Sequence, residues 1–220
     1  YPYTRPDATR FAAAAGALGI GSGVTVVVYD TALGQWAARF WWLLRAFGHD
    51  AAAVLDGGLT AWRANGRPVE RGHVAPTPRI FDGVERPDAW VDKAYVERIV
   101  NGEEAAALVC SIPPKEFTGE ISSRPRPGVI PGSRSLPAGH LVDRTTRTAL
   151  PDAELHDLFA PILEAPRIVT YCNGGIAAAA AALQLVRLGE TDVAIYDGSL
   201  NEWAADPDAP LVTASTGALV

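Results

Sequence analysis

Short β-branched runs alternate with longer Ala-rich stretches along this chain. Val26-Val27-Val28-Tyr29-Asp30 and Ile168-Val169-Thr170-Tyr171-Cys172 are apolar runs closing on a Tyr and one further residue. Such runs predict strands buried on both faces. Each is followed by a helical stretch, Trp36 to Phe47 and Ile176 to Leu188, and each stretch stops at a glycine, Gly48 or Gly189. A glycine there suits a left-handed helix C-cap. A second apolar run follows in both places, Ala53-Val54-Leu55-Asp56-Gly57-Gly58 and Ala194-Ile195-Tyr196-Asp197-Gly198-Ser199. Both copies close on Leu-x-x-Trp, at Leu59 to Trp62 and Leu200 to Trp203.

The spacing makes this an internal repeat. Tyr171 stands 142 positions after Tyr29, Asp197 stands 141 after Asp56, and Trp203 stands 141 after Trp62. Two copies of one strand–helix–strand–helix unit predict an α/β fold, two domains that are each a parallel sheet flanked by helices on both faces. The second copy is longer. It adds a helix at Lys93 to Val100, a strand at Ala106 to Cys110, a long loop to Gly132 and a helix near Asp152 to Leu163. The first copy has only the counterpart of that last helix, Pro6 to Leu18, so the N-terminal domain reads as incomplete. Given domains of ~100–150 residues, roughly 50 or more residues would be missing from it. Arg67 to Asp88 is rich in Pro, Gly and Arg without periodicity and reads as a linker. The expected division is residues 1–70, a linker at 71–88, and a second domain at 89–220.

Composition narrows the function classes. With 19 basic and 25 acidic side chains among 220 residues, the net charge of −6 argues against a nucleic-acid surface. No stretch approaches the roughly 20 apolar residues of a membrane span. Two cysteines, Cys110 and Cys172, cannot form a disulfide framework, which points to a reducing, cytoplasmic setting. No Cys-x-x-Cys and no pair of His at helical spacing is present, so no metal or other cofactor is expected. The chain contains no Met and begins Tyr1-Pro2-Tyr3, as a processed N-terminus or a fragment would.

Chemistry concentrates in Tyr171-Cys172-Asn173-Gly174-Gly175-Ile176-Ala177-Ala178, where a strand turns into a helix. The two glycines let the backbone fold tightly. Its N–H groups and the positive helix end then form an anion cradle. A thiol in that cradle is expected to be held partly as thiolate, a nucleophile. Free Cys is also a common core residue, and the repeat separates the two readings. The matching position in the first copy is Asp30, and the Gly pair there is replaced by Thr31-Ala32-Leu33-Gly34. One copy has the pattern of a working loop and the other that of a scaffold. Cys172 is therefore the candidate catalytic nucleophile, and Asn173, Gly174, Gly175, Ile176, Ala177 and Ala178 are the candidate substrate-binding residues.

These motifs together resemble the two-domain rhodanese-type sulfurtransferases. The first copy is similar through Tyr29-Asp30, Gly34, Arg39-Phe40-Trp41-Trp42, Phe47-Gly48-His49, Leu55-Asp56-Gly57-Gly58, Trp62 and Gly66-Arg67-Pro68-Val69. The second is similar through Glu116-Phe117, Gly119, Gly128, Ile130-Pro131-Gly132-Ser133, the Cys172 loop, Tyr196-Asp197-Gly198-Ser199 and Glu202-Trp203. The resemblance implies a non-catalytic N-terminal domain, a catalytic C-terminal domain and a persulfide on Cys172. It implies a small anionic sulfur donor, thiosulfate or 3-mercaptopyruvate, and a thiol or cyanide acceptor. The chain departs from the family pattern at several points. Cys110 and Ile112 stand where members often carry Asp and a donor-binding Arg, and Val129 stands at a familiar His. Asn173, Gly174 and Ala177 match neither the basic loop of thiosulfate-type members nor the Ser and Thr of mercaptopyruvate-type members.

Other readings remain. A phosphatase of the same fold class would need an Arg six places after the Cys, where Ala178 stands. A Cys–His hydrolase would need one of His49, His73, His140 or His156 near Cys172, and none is close in sequence. A non-catalytic binding or regulatory module, or an inactive fragment, is the alternative to the enzyme. Cys110 reads as a core thiol or a resolving partner for Cys172. His49 reads as a surface residue. Trp36, Trp41, Trp42 and Trp62 read as core or interface packing, with Trp36 placed to wall a cleft facing Cys172. Arg124, Arg126 and Arg134 read as solvated charges, one of which could replace the missing donor-binding Arg.

Overall fold

The computed structural model describes residues 1–213, so the end of the second predicted domain, 214–220, lies outside the described residues. In chain order the principal elements are α1 (Ala8–Ala17), β1 (Val26–Val28), α2 (Gln35–Ala46), β2 (Ala52–Val54), α3 (Gly58–Ala64), β3 (Trp90–Val91), α4 (Lys93–Val100) and β4 (Ala107–Cys110). They continue with α5 (Pro114–Phe117), β5 (Ser133–Ser135), α6 (Asp152–Phe159), β6 (Ile168–Tyr171), α7 (Ile176–Arg187), β7 (Val193–Tyr196) and α8 (Ser199–Trp203).

Local chemistry sets several boundaries. Asp7 and Asp92 cap α1 and α4 by accepting the N–H groups of Arg10 and Tyr95 at 2.8 Å each. Gly48 and Gly189 follow α2 and α7 with φ of 86° and 101°, the left-handed form expected of them.

Both sheets are parallel. β1 pairs with β2, and the larger sheet has the order β3-β7-β6-β4-β5. Its central strands, β6 and β7, are buried at every position. β1 and β2 are only half-buried. The sequence pattern missed the two edge strands, β3 and β5. Each is two or three residues long, and Trp90-Val91 and Ser133-Arg134-Ser135 carry no apolar run.

The two copies share one main core. Trp41, Trp42, Ala38 and Ala46 of α2 join the cluster built around β4, β6, β7 and α7. A smaller cluster holds Phe11, Ala15, Ile20, Leu44 and Phe47. Phe11 stacks on Phe47 at 4.4 Å, and Phe81 closes edge-on at 5.4 Å. Phe81 comes from the 71–88 stretch, which has no helix or strand before Pro87 and crosses the first copy in extended form. Its backbone bonds there, with Arg79 N–H on Gly16 O at 2.9 Å and Arg86 N–H on Ala46 O at 2.7 Å. His49 corrects the expectation of a surface residue. It is buried beside Phe81, with ring centroids 6.0 Å apart. Trp62 is likewise not a core residue. It is partly exposed and donates its indole N–H to Pro68 O at 2.8 Å. Among the described residues no helix is long and apolar enough to cross a membrane.

Candidate active site

Cys172 follows β6 at the strand end where loops of a parallel sheet gather. The turn into α7 needs Gly175, whose φ is 82°. A Cβ there would also stand 3.0 Å from Arg39 Nη1 and 3.1 Å from Asp197 Oδ1. The Gly175 N–H points at Cys172 Sγ, 3.1 Å away. The thiol is 4% exposed. It borders a cavity of about 510 Å³ whose walls also include Asn173, Gly174, Ile176 and Ala177. Ala178 is fully buried in α7 and does not line this cavity.

The loop carbonyls are held away from the cavity. Leu200 and Asn201, at the start of α8, donate their N–H groups to the carbonyls of Cys172 and Asn173, both at 3.0 Å. Ser199 Oγ accepts the Cys172 N–H at 3.2 Å and donates to Tyr196 O at 2.8 Å. Ser199 does so from a left-handed backbone, φ 51°, where the first copy has Gly58 at 56°. The first turn of a helix has no intrahelical acceptors for its N–H groups, so the start of α7 sets a partial positive charge beside Cys172.

Two arginines bond to the loop or to its immediate neighbours. Arg39, on α2 of the first copy, donates to Asp197 Oδ1 at 2.6 Å, to Tyr3 O at 2.9 Å and to Gly175 O at 3.5 Å. Its guanidinium lies over Trp90, 5.0 Å from the ring centre. Arg124 corrects the expectation of a solvated charge. It is buried, donates to Asn173 Oδ1 and lies 3.6 Å from Glu116. Asn173 Nδ2 completes the triangle by donating to Glu116 Oε2 at 3.3 Å. Arg126 is also tied down, bonded to the carbonyls of Asp206 and Ala209. The loop from Ile121 to Gly128 folds back onto the domain, which linear spacing could not show.

Trp36 is 51% exposed and stands in the cavity wall with Cys172. Tyr3 meets it edge-on at 5.6 Å and lines the same cavity. His140 and Arg144 also line it, so one of the four histidines does share a cavity with Cys172. Their sequence signal was weak, because a 3₁₀ turn at Ala138–His140 brings them in from a segment without a motif. Cys110 ends β4 beside Tyr171 and is fully buried. Burial pushes its thiol up to about 12. That makes it a core thiol, poorly suited to resolve an oxidised partner.

The first copy shows what the cradle does with an anion. Asp30 Oδ1 accepts the N–H groups of Ala32 and Gly34 at 2.8 and 3.1 Å. Its Oδ2 accepts those of Trp36 and Ala37, both at 3.1 Å. A carboxylate of the chain itself fills the turn that Cys172 leaves open in the second copy.

Residues 3–65 and 95–206 match the rhodanese-like domain. The chain belongs to the rhodanese-like family. The thiosulfate/3-mercaptopyruvate sulfurtransferase 2 of Arabidopsis thaliana is 36% identical, over 96% of this chain and 69% of that one. The human 3-mercaptopyruvate sulfurtransferase is 34% identical, over 92% of this chain and 70% of that one. The thiosulfate sulfurtransferase of Gallus gallus is 32% identical, over 92% and 71%. The chain spans 62% of a second plant relative, the mitochondrial thiosulfate/3-mercaptopyruvate sulfurtransferase 1. The wild-type structure of EanB shares the fold, with a TM-score of 0.86 at 24% identity, over 96% of this chain and 55% of that one.

Proposed function

We propose that this rhodanese-like chain is a sulfurtransferase. It moves a sulfane sulfur from a small anionic donor, thiosulfate or 3-mercaptopyruvate, to a thiol or cyanide through a persulfide on Cys172. The observation that carries this reading is the 3.1 Å approach of the Gly175 N–H to Cys172 Sγ at the edge of a cavity. Cys110 also has a backbone hydrogen bond, from Ile112, but it is sealed in the core, whereas Cys172 combines its amide with a place on the cavity wall. The names of the sulfurtransferase relatives support the reaction class.

In the proposed cycle the Cys172 thiolate attacks the outer sulfur of the donor. An S–S bond forms to Cys172, and the donor's own bond to that sulfur breaks. The electron pair leaves with sulfite from thiosulfate, or with the pyruvate enolate, which then takes a proton. The amides of Asn173, Gly174, Gly175, Ile176, Ala177 and Ala178 are proposed to stabilise the anionic groups along this path. Ala178 acts at most through the helix end, given its place behind the cavity wall. The acceptor then attacks the outer sulfur, and the Cys172 thiolate is regenerated. The division of labour proposed is 1–70 as support, 71–88 as linker and 89–220 as the catalytic domain. None of these steps calls for a metal or another cofactor.

Steady-state kinetics test the reading. Varying donor and cyanide together should give the parallel double-reciprocal lines of a ping-pong enzyme, and Cys172→Ser should abolish turnover. Intersecting lines, or turnover surviving in Cys172→Ser, would overturn it. No turnover with any donor, in a folded protein, would favour a binding module.

A further inference from the structure

We propose that Arg144 is the specificity-determining residue of this site, and that it holds the carboxylate of an organic sulfur donor while Cys172 attacks the sulfur. The inference rests on the sulfurtransferase reading above and adds which end of the donor binds where.

Ile112 lines the cavity, so the position where the resemblance implies a donor-binding Arg presents a hydrocarbon side chain there. Among the described residues lining that cavity, Arg144 is the one Lys or Arg, and it stands exposed at the cavity's edge to solvent. Its guanidinium lies against Gly139, with Nη2 3.0 Å from where a Cβ of that residue would stand. No described carboxylate pairs with it. Its neighbour Asp143 is occupied by the N–H groups of Thr145 and Thr146, at 2.7 and 2.8 Å. The other charged side chain of the wall, Glu116, is offset by Arg124 at 3.6 Å. Among the described residues the cavity wall therefore carries one guanidinium without a carboxylate partner, and its planar fork matches a carboxylate.

Donor shape decides what reaches it. In thiosulfate the anionic oxygens sit on the atom bonded to the attacked sulfur, so they stay within the Cys172 loop. In a 2-oxo-3-mercapto acid the carboxylate carbon lies three bonds from the sulfur and extends along the cavity. Arg144 thus favours the longer, carboxylate-bearing donor over thiosulfate.

The test uses alkylation of Cys172, which needs no turnover. Bromopyruvate carries a carboxylate one bond further from the attacked carbon than thiosulfate carries its oxygens from the attacked sulfur, bromoacetone carries none, and Cys110 is too buried to compete. In Arg144→Gln the bromopyruvate rate should fall about two- to fivefold, the scale of an ion pair in contact with solvent, with the bromoacetone rate unchanged. Arg144→Lys keeps the charge without the fork and should recover part of the bromopyruvate rate. In turnover, Arg144→Gln should raise KM for 3-mercaptopyruvate and leave that for thiosulfate in place. Equal loss with both reagents, or loss with neither, would overturn the proposal. Persulfide formation from thiosulfate in Arg144→Gln is read separately, so failure of the anchor and failure of the sulfurtransferase reading remain distinct.

Discussion

Asp30 and Cys172 occupy the same place in two copies of one strand-to-helix turn, and each accepts hydrogen bonds from the backbone of its own turn. In the first copy the acceptor is a carboxylate that takes four N–H groups and fills the cradle. In the second it is a sulfur that takes one, beside open space. The same backbone device is filled by a carboxylate in one copy and stands beside a cavity in the other.

Replacing Asp30 by Ala should therefore cost stability without touching chemistry. Four N–H groups lose their acceptor, and water can reach only some of the loss because the site is half-buried. We expect a destabilisation of about 1–2 kcal/mol, the upper range for loss of a helix cap. Denaturant unfolding measures it. Persulfide formation on Cys172 should be unaffected in the folded fraction, and an unchanged midpoint would contradict the structural role.

Arg39 should behave differently. Its ion pair with Asp197 spans the two copies and is nearly inaccessible, with side chains 6% and 11% exposed. Removing one partner of such a pair leaves a buried charge, at a cost of roughly 3–5 kcal/mol. Arg39→Ala should lower the unfolding midpoint and also slow persulfide formation, because the Gly175 carbonyl loses its contact at 3.5 Å. Arg39→Lys should recover part of the stability and less of the rate, since a lysine cannot reach Asp197, Tyr3 and Gly175 with one fork. Full activity in Arg39→Ala would show that the first copy does not position the loop.

The two cysteines should separate cleanly by reactivity. Cys110, buried and pushed up to about 12, should resist iodoacetamide at neutral pH. Cys172 should react. A native thiol count of one, rising to two on denaturation, is the expected result. Rapid labelling of Cys110 in the native protein would contradict its place in the core.

Acid should loosen the chain crossing behind α2. Asp50 accepts two hydrogen bonds from Arg86, at 2.7 and 2.6 Å. They hold its carboxyl below the 3.8 of a free aspartate. A depressed carboxyl stabilises fully above its unfolded value and loses that contribution as pH falls through its folded value. Wild type should thus lose more stability than Asp50→Asn below about pH 4. The difference should be small, well under about 1 kcal/mol, because the pair is exposed to solvent. Identical acid profiles would contradict a contribution from this pair.

The parallel sheet and the paired helices could be read directly, because buried strands and Ala-rich helices impose apolar periods that repeat 141 or 142 positions apart. The Cys172 turn could be read because its glycines have a backbone reason to be there. Gly175 indeed takes a positive φ. The edge strands β3 and β5 could not, since strands of two or three residues leave no period. The supporting side chains were hidden for another reason. Arg39 meets Asp197 across 158 positions and Arg124 meets Asn173 across 49. Only the folded topology brings such pairs together, so Arg124 looked like a surface charge. Ser199 was visible as part of a motif, yet its hold on the Cys172 N–H depends on a left-handed backbone that a serine does not advertise.

Cys172 in its amide-lined turn is proposed to carry the transferred sulfur. Intact-protein mass spectrometry after incubation with thiosulfate or 3-mercaptopyruvate, without acceptor, tests it most directly. Wild type should gain the mass of one sulfur atom, map it to Cys172, and lose it on adding cyanide. Cys172→Ser should gain nothing. An added sulfur that persists in Cys172→Ser, or a folded wild type that gains none from either donor, would contradict the account.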